Sequence, residues 1–375
     1  MANPARFFRP RAFFLDRLIV LGLCLALCGN ATLAAELGPP PTFPRDLAGL
    51  KLPTAEKAPG GVEVALAGPL SVNPLDREAS RKFFNTYYLG AITPTIDWTG
   101  NRSTCNAGAT SLSFRDAVLL RINYFRAMAG VPAQVAFSDT YSTEDQQAAL
   151  MMSVNNQLNH SPPTSWTCYS AAGAEAAGKS NLALGASGWD AISLYLKDHG
   201  TGNGFAGHRR WILYPQTQHM GTGDLPPTGG TAANALWVID EHIWDPRPAT
   251  REEYVAWPPP GYVPYQVVYP RWSFAYANAD FSGAAVSMTE NGVAVSVALE
   301  TVATGYGENT LVWIPKGMGS GDVWPKPSKD NNYRVTLSNV VIGGNPRSFT
   351  YTVKVIDPST ATRRTIAPWW LLLGS

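Results

Sequence analysis

Two of the five histidines lie in stretches whose neighbours could position an imidazole for chemistry. His160 lies within Asn159–Pro162, and His208 lies within Gly207–Pro215. Because an imidazole titrates near neutral pH and is a common metal ligand, such a pair could act as acid and base or hold a divalent cation. The alternative is that each one hydrogen-bonds a loop inside a buried polar network.

The other three histidines, His199, His219 and His242, have no comparable setting and are expected to be ordinary surface or turn residues. Arg209 and Arg210 could bind an anionic ligand. Adjacent residues on a helix point in different directions, however, so at least one of the two is expected to be solvated or salt-bridged.

Other chemistry has little support in the sequence. It contains no Gly-x-Ser-x-Gly elbow, no His-Glu-x-x-His helix and no phosphate-binding glycine loop. Gly200–Gly204 is rich in glycine but follows no predicted strand, which favours a turn between two helices. The 29 Lys and Arg residues balance 28 Asp and Glu residues, so nothing in the charge attracts nucleic acid. The missing motifs do not by themselves exclude an enzyme.

The first 35 residues have the order of a secretory signal peptide. Arginines between Arg6 and Arg17 precede an apolar run over Leu18–Cys28, and small residues over Ala31–Ala35 follow. The apolar run is shorter than the roughly 18 residues that span a bilayer. We therefore expect a secreted or periplasmic protein without a transmembrane segment. Leu25–Cys28 resembles a lipid-attachment box, but such boxes prefer a small residue where Leu27 stands, so lipidation at Cys28 is not expected.

Removing the signal peptide would leave two of the four cysteines, Cys105 and Cys168. In an oxidising compartment the simplest expectation for such a pair is one disulfide. The loop it closes would stabilise the fold by about 4 kcal/mol in the chain-entropy model. A reactive thiol would need an activating environment that the sequence does not show.

The remaining length predicts two domains after a proline-rich linker or extended arm over residues 36–75. Capping-box spacing marks three helix starts in the first domain, residues 76–248. The pairs are Ser113 with Asp116, Ser142 with Asp145, and Ser187 with Asp190. The elements predicted there are helices over 114–129, 143–158 and 189–198, a short helix with His208, and a strand over 235–239.

From residue 251 to 375 the hydrophobic pattern alternates with a period of two, which predicts an all-β domain. The turn Asn291-Gly292 separates two strands of a hairpin, over 286–290 and 293–299. Further strands are predicted over 309–314, 333–341 and 348–356, as in a β-sandwich. The final run Trp369–Leu373 could contact a membrane or a partner, or could pack against the sandwich.

Several short motifs follow one another between Ser113 and Ile239. They are Arg121–Ala127 with Ala129-Gly130, Asn159-His160-Ser161, Ser180–Gly185, Gly207–Pro215, Met220–Gly223 and the strand around Trp237. On these motifs the segment resembles the CAP superfamily of cysteine-rich secretory proteins, antigen 5 and plant pathogenesis-related proteins, in its bacterial SCP-like form. The resemblance implies an α+β fold, a three-layer α-β-α sandwich, followed here by an all-β Ig-like sandwich.

In that family two histidines and two glutamates line a central cleft, which in some members holds zinc or another divalent cation. His160 and His208 match the histidine positions, and Ser180 replaces the first glutamate. Asp198, beside His199, is the candidate for the second, with Asp190 the other nearby acid. Because a catalytic zinc usually has three protein ligands, His160, His208 and Asp198 would form a minimal metal site. The resemblance assigns no catalytic residue.

The preferred hypothesis is a secreted binding protein that uses the two-histidine cleft for a lipid, glycan or peptide, with the β domain as a spacer or adhesion module. The alternative is a metal-dependent extracellular hydrolase, such as a peptidase, that uses His160, His208 and Asp198. A third hypothesis is a structural envelope protein with a vestigial cleft. Fold alone does not choose among them, but the position of Asp198 and Glu175 relative to the two histidines discriminates.

Overall fold

A computed structural model describes residues 36–37, 39–42, 68–90, 94–317 and 324–361 of the protein. The predicted signal peptide, with Cys24 and Cys28, lies outside these residues, and so does the segment Trp369–Leu373. No helix within the described ranges is both long enough and apolar enough to cross a membrane.

The first part of the described chain is mainly helical. Its α-helices are α1 (Arg77–Phe83, continued by a π-helix over Phe84–Leu89), α2 (Leu112–Ala129), α3 (Asp139–Asn155), α4 (Ala171–Lys179), α5 (Gly188–Lys197) and α6 (Gly207–Ile212). The strands of this part are β1 (Glu36–Leu37), β2 (Ala136–Phe137), β3 (Ser180–Leu184), β4 (His219–Leu225) and β5 (Ala233–Trp237).

Two of the predicted helix starts are wrong by a few residues. The N-cap of α2 is Ser111, whose hydroxyl accepts the N–H of Phe114, and the N-cap of α3 is Ser138 rather than Ser142. Both capping serines have extended backbone dihedrals, which is the conformation an N-cap requires. The third start is confirmed, because Ser187 precedes α5.

The five strands form one sheet in the order β1-β3-β5-β4-β2, and helices cover both of its faces. Alternation along β3 sends Leu182 and Leu184 into one apolar cluster with α3 and α4. Ala183 points the other way, into the main core that α2, α5 and α6 share. The result is three layers, helices on either side of a central sheet, as predicted.

Two glycines of β4 explain how closely α3 approaches this sheet. A Cβ at Gly223 would lie 2.1 Å from the backbone carbon of Asp145, and one at Gly221 would lie 2.6 Å from the backbone carbon of Tyr141. Carbon atoms in ordinary contact are about 3.5–4.0 Å apart, so only glycine fits at these two positions. The glycine-rich motif of β4 therefore places Asp145 and Tyr141 directly against the sheet.

The described residues after 250 form a β-rich region, as predicted, with one short 3-10 helix over Tyr265–Val267. Its strands are β6 (Val255–Trp257), β7 (Gly261–Pro264), β8 (Trp272–Ala275), β9 (Ala285–Glu290), β10 (Val293–Val295), β11 (Val297–Leu299), β12 (Thr310–Pro315), β13 (Asn331–Ile342) and β14 (Asn345–Ile356). They form two sheets, β10-β9-β13-β14-β7 and β11-β12-β8-β6. Aromatic rings join the sheets, as where Trp272 of β8 packs edge-on against Tyr333 of β13.

The single strand predicted over 293–299 is wrong. The segment divides at Ser296 into β10, which pairs with β9, and β11, which pairs with β12 of the other sheet. One continuous apolar pattern cannot reveal this change of partner, because both halves keep the period of two.

The disulfide between Cys105 and Cys168 is confirmed. It ties the turn around Asn101–Asn106 to the loop between α3 and α4, the loop that also carries His160. The guanidinium of Arg102, in the same turn, donates hydrogen bonds to the hydroxyl of Ser153 and to the carbonyl of Pro226. The disulfide therefore restrains the loop that carries His160.

Candidate functional site

His208 lies on α6, and Asp198 orients its ring. Nδ1 of His208 lies 2.7 Å from Oδ1 of Asp198, and both side chains are completely buried. The other carboxylate oxygen of Asp198 accepts the backbone N–H of Arg209. The ring of Tyr195 stacks on the imidazole at 5.6 Å between centroids. Within the described part of the chain, Nε2 of His208 is buried and has no hydrogen-bond partner.

This arrangement depends on the end of α5. Asp198 follows the helix in the left-handed conformation, with φ of 54°, which turns its side chain back toward α6. An Asp at Nδ1 fixes the tautomer, because that nitrogen then carries the proton and Nε2 keeps a lone pair. Asp198, the candidate for the second acidic position, therefore lies against the ring of His208. Glu175 instead pairs with Lys179 at the surface, 2.6 Å away.

His160 faces backbone oxygens on both sides of its ring. Nδ1 lies beside the carbonyl of Ala177, and Nε2 lies beside the carbonyl of Pro39 in the N-terminal segment. A neutral imidazole has one N–H and can donate to only one of these carbonyls. Burial lowers the pKa of His160, and the nearby His208 adds to this, while the two carbonyls oppose it.

Residues 36–37 and 39–42 form a short arm that lies along the site. Its strand β1 pairs antiparallel with the edge strand β3, with Glu36 opposite Leu184. Pro40 and Pro41 are buried, and the carbonyl of Pro41 accepts a hydrogen bond of 2.6 Å from the indole N–H of Trp211. The arm thus contacts both the loop of His160 and the helix of His208.

Gly207 provides the space that the arm needs. A Cβ at this first residue of α6 would lie only 2.3 Å from Cγ of Pro40. The glycine before His208, which the sequence analysis noted only as part of a motif, therefore lets the proline ring pack against the helix.

Ser180 stands where the family has its first glutamate, and it contacts the buried carboxyl group of Asp145. Its hydroxyl lies 2.6 Å from Oδ1 of Asp145 and 2.7 Å from the carbonyl of Ala176. One hydroxyl proton cannot serve two acceptors, but a protonated Asp145 could donate to Ser180 and leave that proton for Ala176. Burial raises the pKa of Asp145 well above its ordinary value, which agrees with this network. Asp145 was expected in a capping box, yet it lies in the second turn of α3.

Arg209 and Arg210 do not face solvent or an open anion site. The guanidinium of Arg209 donates to the carbonyl of Leu196 and to the hydroxyl of Ser273 in β8. Arg210 donates to the carbonyls of Ala303 and Glu308. Both side chains are buried, so the expectation that one is solvated or salt-bridged is wrong, because neighbouring carbonyls replace water as acceptors.

His199 lies in the turn after α5, whereas His219 and His242 converge on Glu241. His219, Glu241 and His242 form a group whose possible metal-ligand atoms all lie within 4.8 Å of one another. Among the described residues, this is the one such group of three or more His, Cys, Asp or Glu side chains. The expected set of His160, His208 and Asp198 does not form such a group, and metal binding by His160 and His208 stays a prediction.

A comparison with curated proteins found no match. The family model for the cysteine-rich secretory protein family, CAP, matches residues 119–240. This range includes α3, the loop of His160, Asp198, α6 and four of the five strands of the central sheet, β2 to β5, so it covers most of the three-layer architecture. We conclude that this part of the chain is a CAP domain of the cysteine-rich secretory protein family.

Proposed function

We propose that the protein is an extracellular peptide-binding protein, and that its CAP cleft receives an extended, proline-containing segment. The observation that carries the proposal is the arm itself. Glu36–Leu37 adds a strand to the edge of the CAP sheet, and the carbonyls of Pro39 and Pro41 contact His160 and Trp211. Edge-strand addition and recognition of extended proline segments are two common ways in which proteins bind peptides.

The chemistry of the contacts favours a peptide over a lipid or a glycan. Pro39 and Pro41 make polar contacts through their main-chain carbonyls, and the buried side-chain surface is that of Pro40 and Pro41. Proline restricts an unbound segment to extended conformations, so binding orders fewer torsions than a flexible chain would require.

The arm is then an intramolecular occupant of the cleft. A tethered ligand has an effective concentration of about the millimolar level, so a peptide added in trans must displace it. We therefore expect the native protein to bind a free arm peptide poorly. A protein whose own arm is weakened should bind the same peptide well.

The test is a titration of a fluorescently labelled peptide with the sequence of residues 36–42, followed by anisotropy. Two full-length proteins are compared, the native chain and one with Pro39, Pro40 and Pro41 all replaced by glycine. We expect at least tenfold tighter binding to the glycine variant, and weakened binding when Trp211→Phe is added to it. Equal, weak binding to both proteins would argue against a peptide cleft.

The Asp198–His208 pair supports a second candidate, hydrolysis of a peptide bound in this cleft. A carboxylate at Nδ1 and a lone pair on Nε2 are the features of a general base. Incubation of the glycine variant with the labelled peptide, followed by mass spectrometry, distinguishes the two. Cleavage that His208→Gln abolishes favours the hydrolase, and an intact peptide at saturation favours binding alone.

A further inference from the structure

A second group of side chains able to bind a ligand lies at the start of β4 and just after β5. β4 and β5 are antiparallel neighbours, with Gly221 opposite Trp237, so the start of one strand lies beside the end of the other. His219 is the first residue of β4, and Glu241 and His242 lie in the turn that follows β5. The topology therefore brings together residues more than twenty positions apart.

Both imidazoles approach the same carboxylate oxygen. Nδ1 of His219 lies 3.0 Å from Oε1 of Glu241, and Nε2 of His242 lies 3.5 Å from it. Zinc bonds of about 2.0–2.1 Å in tetrahedral geometry separate neighbouring ligand atoms by about 3.3 Å. The two distances bracket this value, so a small adjustment of the side chains would accommodate an ion.

The surrounding residues hold all three groups in place. The hydroxyl of Tyr141 donates to Oε2 of Glu241 at 2.7 Å, and Oδ2 of Asp245 lies 2.7 Å from Nδ1 of His242. With a proton on Nδ1, His242 presents the lone pair of Nε2 toward Glu241. Such outer carboxylates orient the histidine ligands of metal sites.

The backbone at His219 is also fixed. A carboxylate oxygen of Asp240 accepts the N–H groups of Gln218 and His219, each at 2.8 Å. Asp240 therefore holds the start of β4 against the turn after β5, and this contact does not depend on Glu241.

Charge and access are suitable for a cation. An ordinary glutamate carboxyl is ionised at neutral pH, and Glu241 offers Oε1 to the two imidazoles while Oε2 accepts the hydrogen bond from Tyr141. The three side chains are each about one quarter exposed, and His219 and Asp245 line an open cleft of about 590 Å³. A solvated ion can reach the site, and an additional ligand has space beside it.

We propose that His219, Glu241 and His242 bind a divalent transition-metal ion of the zinc class, at a site separate from His160 and His208. Two imidazole nitrogens and one carboxylate oxygen suit zinc and related ions, whereas magnesium and calcium prefer an all-oxygen shell. The competing account is a network of charged histidines around Glu241 that binds no ion.

The test is calorimetric titration of the full, metal-free protein with Zn²⁺ and, in parallel, with Mg²⁺. We expect one zinc ion per chain and no comparable magnesium binding. Glu241→Gln and His242→Gln should each weaken zinc binding by more than tenfold. Asp245→Asn, which leaves the three ligands intact, should weaken it by about 10-fold to 100-fold through loss of orientation.

The matched control is His160→Gln with His208→Gln, which should leave zinc affinity unchanged. Thermal melts without metal show whether each variant is folded. His219→Gln replaces a ligand variant that is not folded, and His160→Gln alone replaces the paired control if that is not folded. The proposal is overturned if the native chain binds no stoichiometric zinc. It is also overturned if the paired cleft substitutions abolish zinc binding while Glu241→Gln preserves it.

Discussion

Replacing Asp198 by asparagine should lower the free energy of unfolding by about 3–5 kcal/mol. The residue is in the left-handed conformation, with φ of 54°, which asparagine tolerates, so the substitution changes the charge and leaves the backbone intact. Asp198→Ala would confound the loss of the carboxylate with the cost of placing alanine in that conformation.

The magnitude follows from the contacts of the carboxylate, which faces the ring of His208 and accepts the N–H of Arg209. A hydrogen bond to a charged group contributes roughly 1.5–3 kcal/mol and a neutral one about 1, so neutralising the acceptor removes about 2 kcal/mol over two bonds. The amide of asparagine would also move the imidazole proton to the buried Nε2. An unsatisfied buried donor costs roughly 1–3 kcal/mol more.

The assay is equilibrium urea unfolding at pH 7, followed by tryptophan fluorescence. Asp116→Asn is the matched control, because Asp116 is exposed on α2 and its substitution should change stability by less than about 0.5 kcal/mol. If Asp198→Asn is as stable as this control, the reasoning that Asp198 orients and stabilises His208 fails.

Two further predictions concern stability. Cys105→Ser with Cys168→Ser should lower the free energy of unfolding by about 4 kcal/mol, because the disulfide spans 63 positions. A loss below about 1 kcal/mol would show that other contacts hold the loop. Asp145→Asn should become more stable relative to the native protein as pH rises from 4 to 7. Burial raises the pKa of Asp145 in the folded protein above its value in the unfolded chain. The contribution of Asp145 to the stability of the native protein is therefore complete at a pH below the unfolded-state pKa, and it is lost as the pH rises toward the folded-state pKa. Thermal melts across this range test the sign, and a native protein that gains on the variant with rising pH would refute it.

The sequence predicted the parts of the site that local patterns encode. The surroundings of His160 and His208, the helix that ends near Asp198 and the cysteine pair were visible because each depends on a few neighbouring residues. Helix α4 was missed, because its alanine and glycine residues form no marked apolar stripe. The predicted starts of α2 and α3 were wrong by a few residues because more than one serine near each start could cap the helix.

The long-range features could not be predicted in this way. The arm has no periodicity, and its contact with Trp211 joins residues 170 positions apart. His219 and His242 were expected to be ordinary histidines, because no local spacing connects them. The adjacent residues Glu241 and His242 were the one sign of a possible ligand site in the sequence. His219 joins them only through the pairing of β4 with β5.

The most direct test of the peptide cleft uses two glycines with opposite surroundings. A Cβ at Gly207 would collide with Pro40, whereas one at Gly202 meets no atom within 4 Å. Each is replaced by alanine in the protein whose three arm prolines are glycine, and the affinity for the labelled arm peptide is measured. The peptide-cleft account predicts that Gly207→Ala weakens binding at least tenfold while Gly202→Ala leaves it unchanged. Equal affinity for the two variants would contradict it.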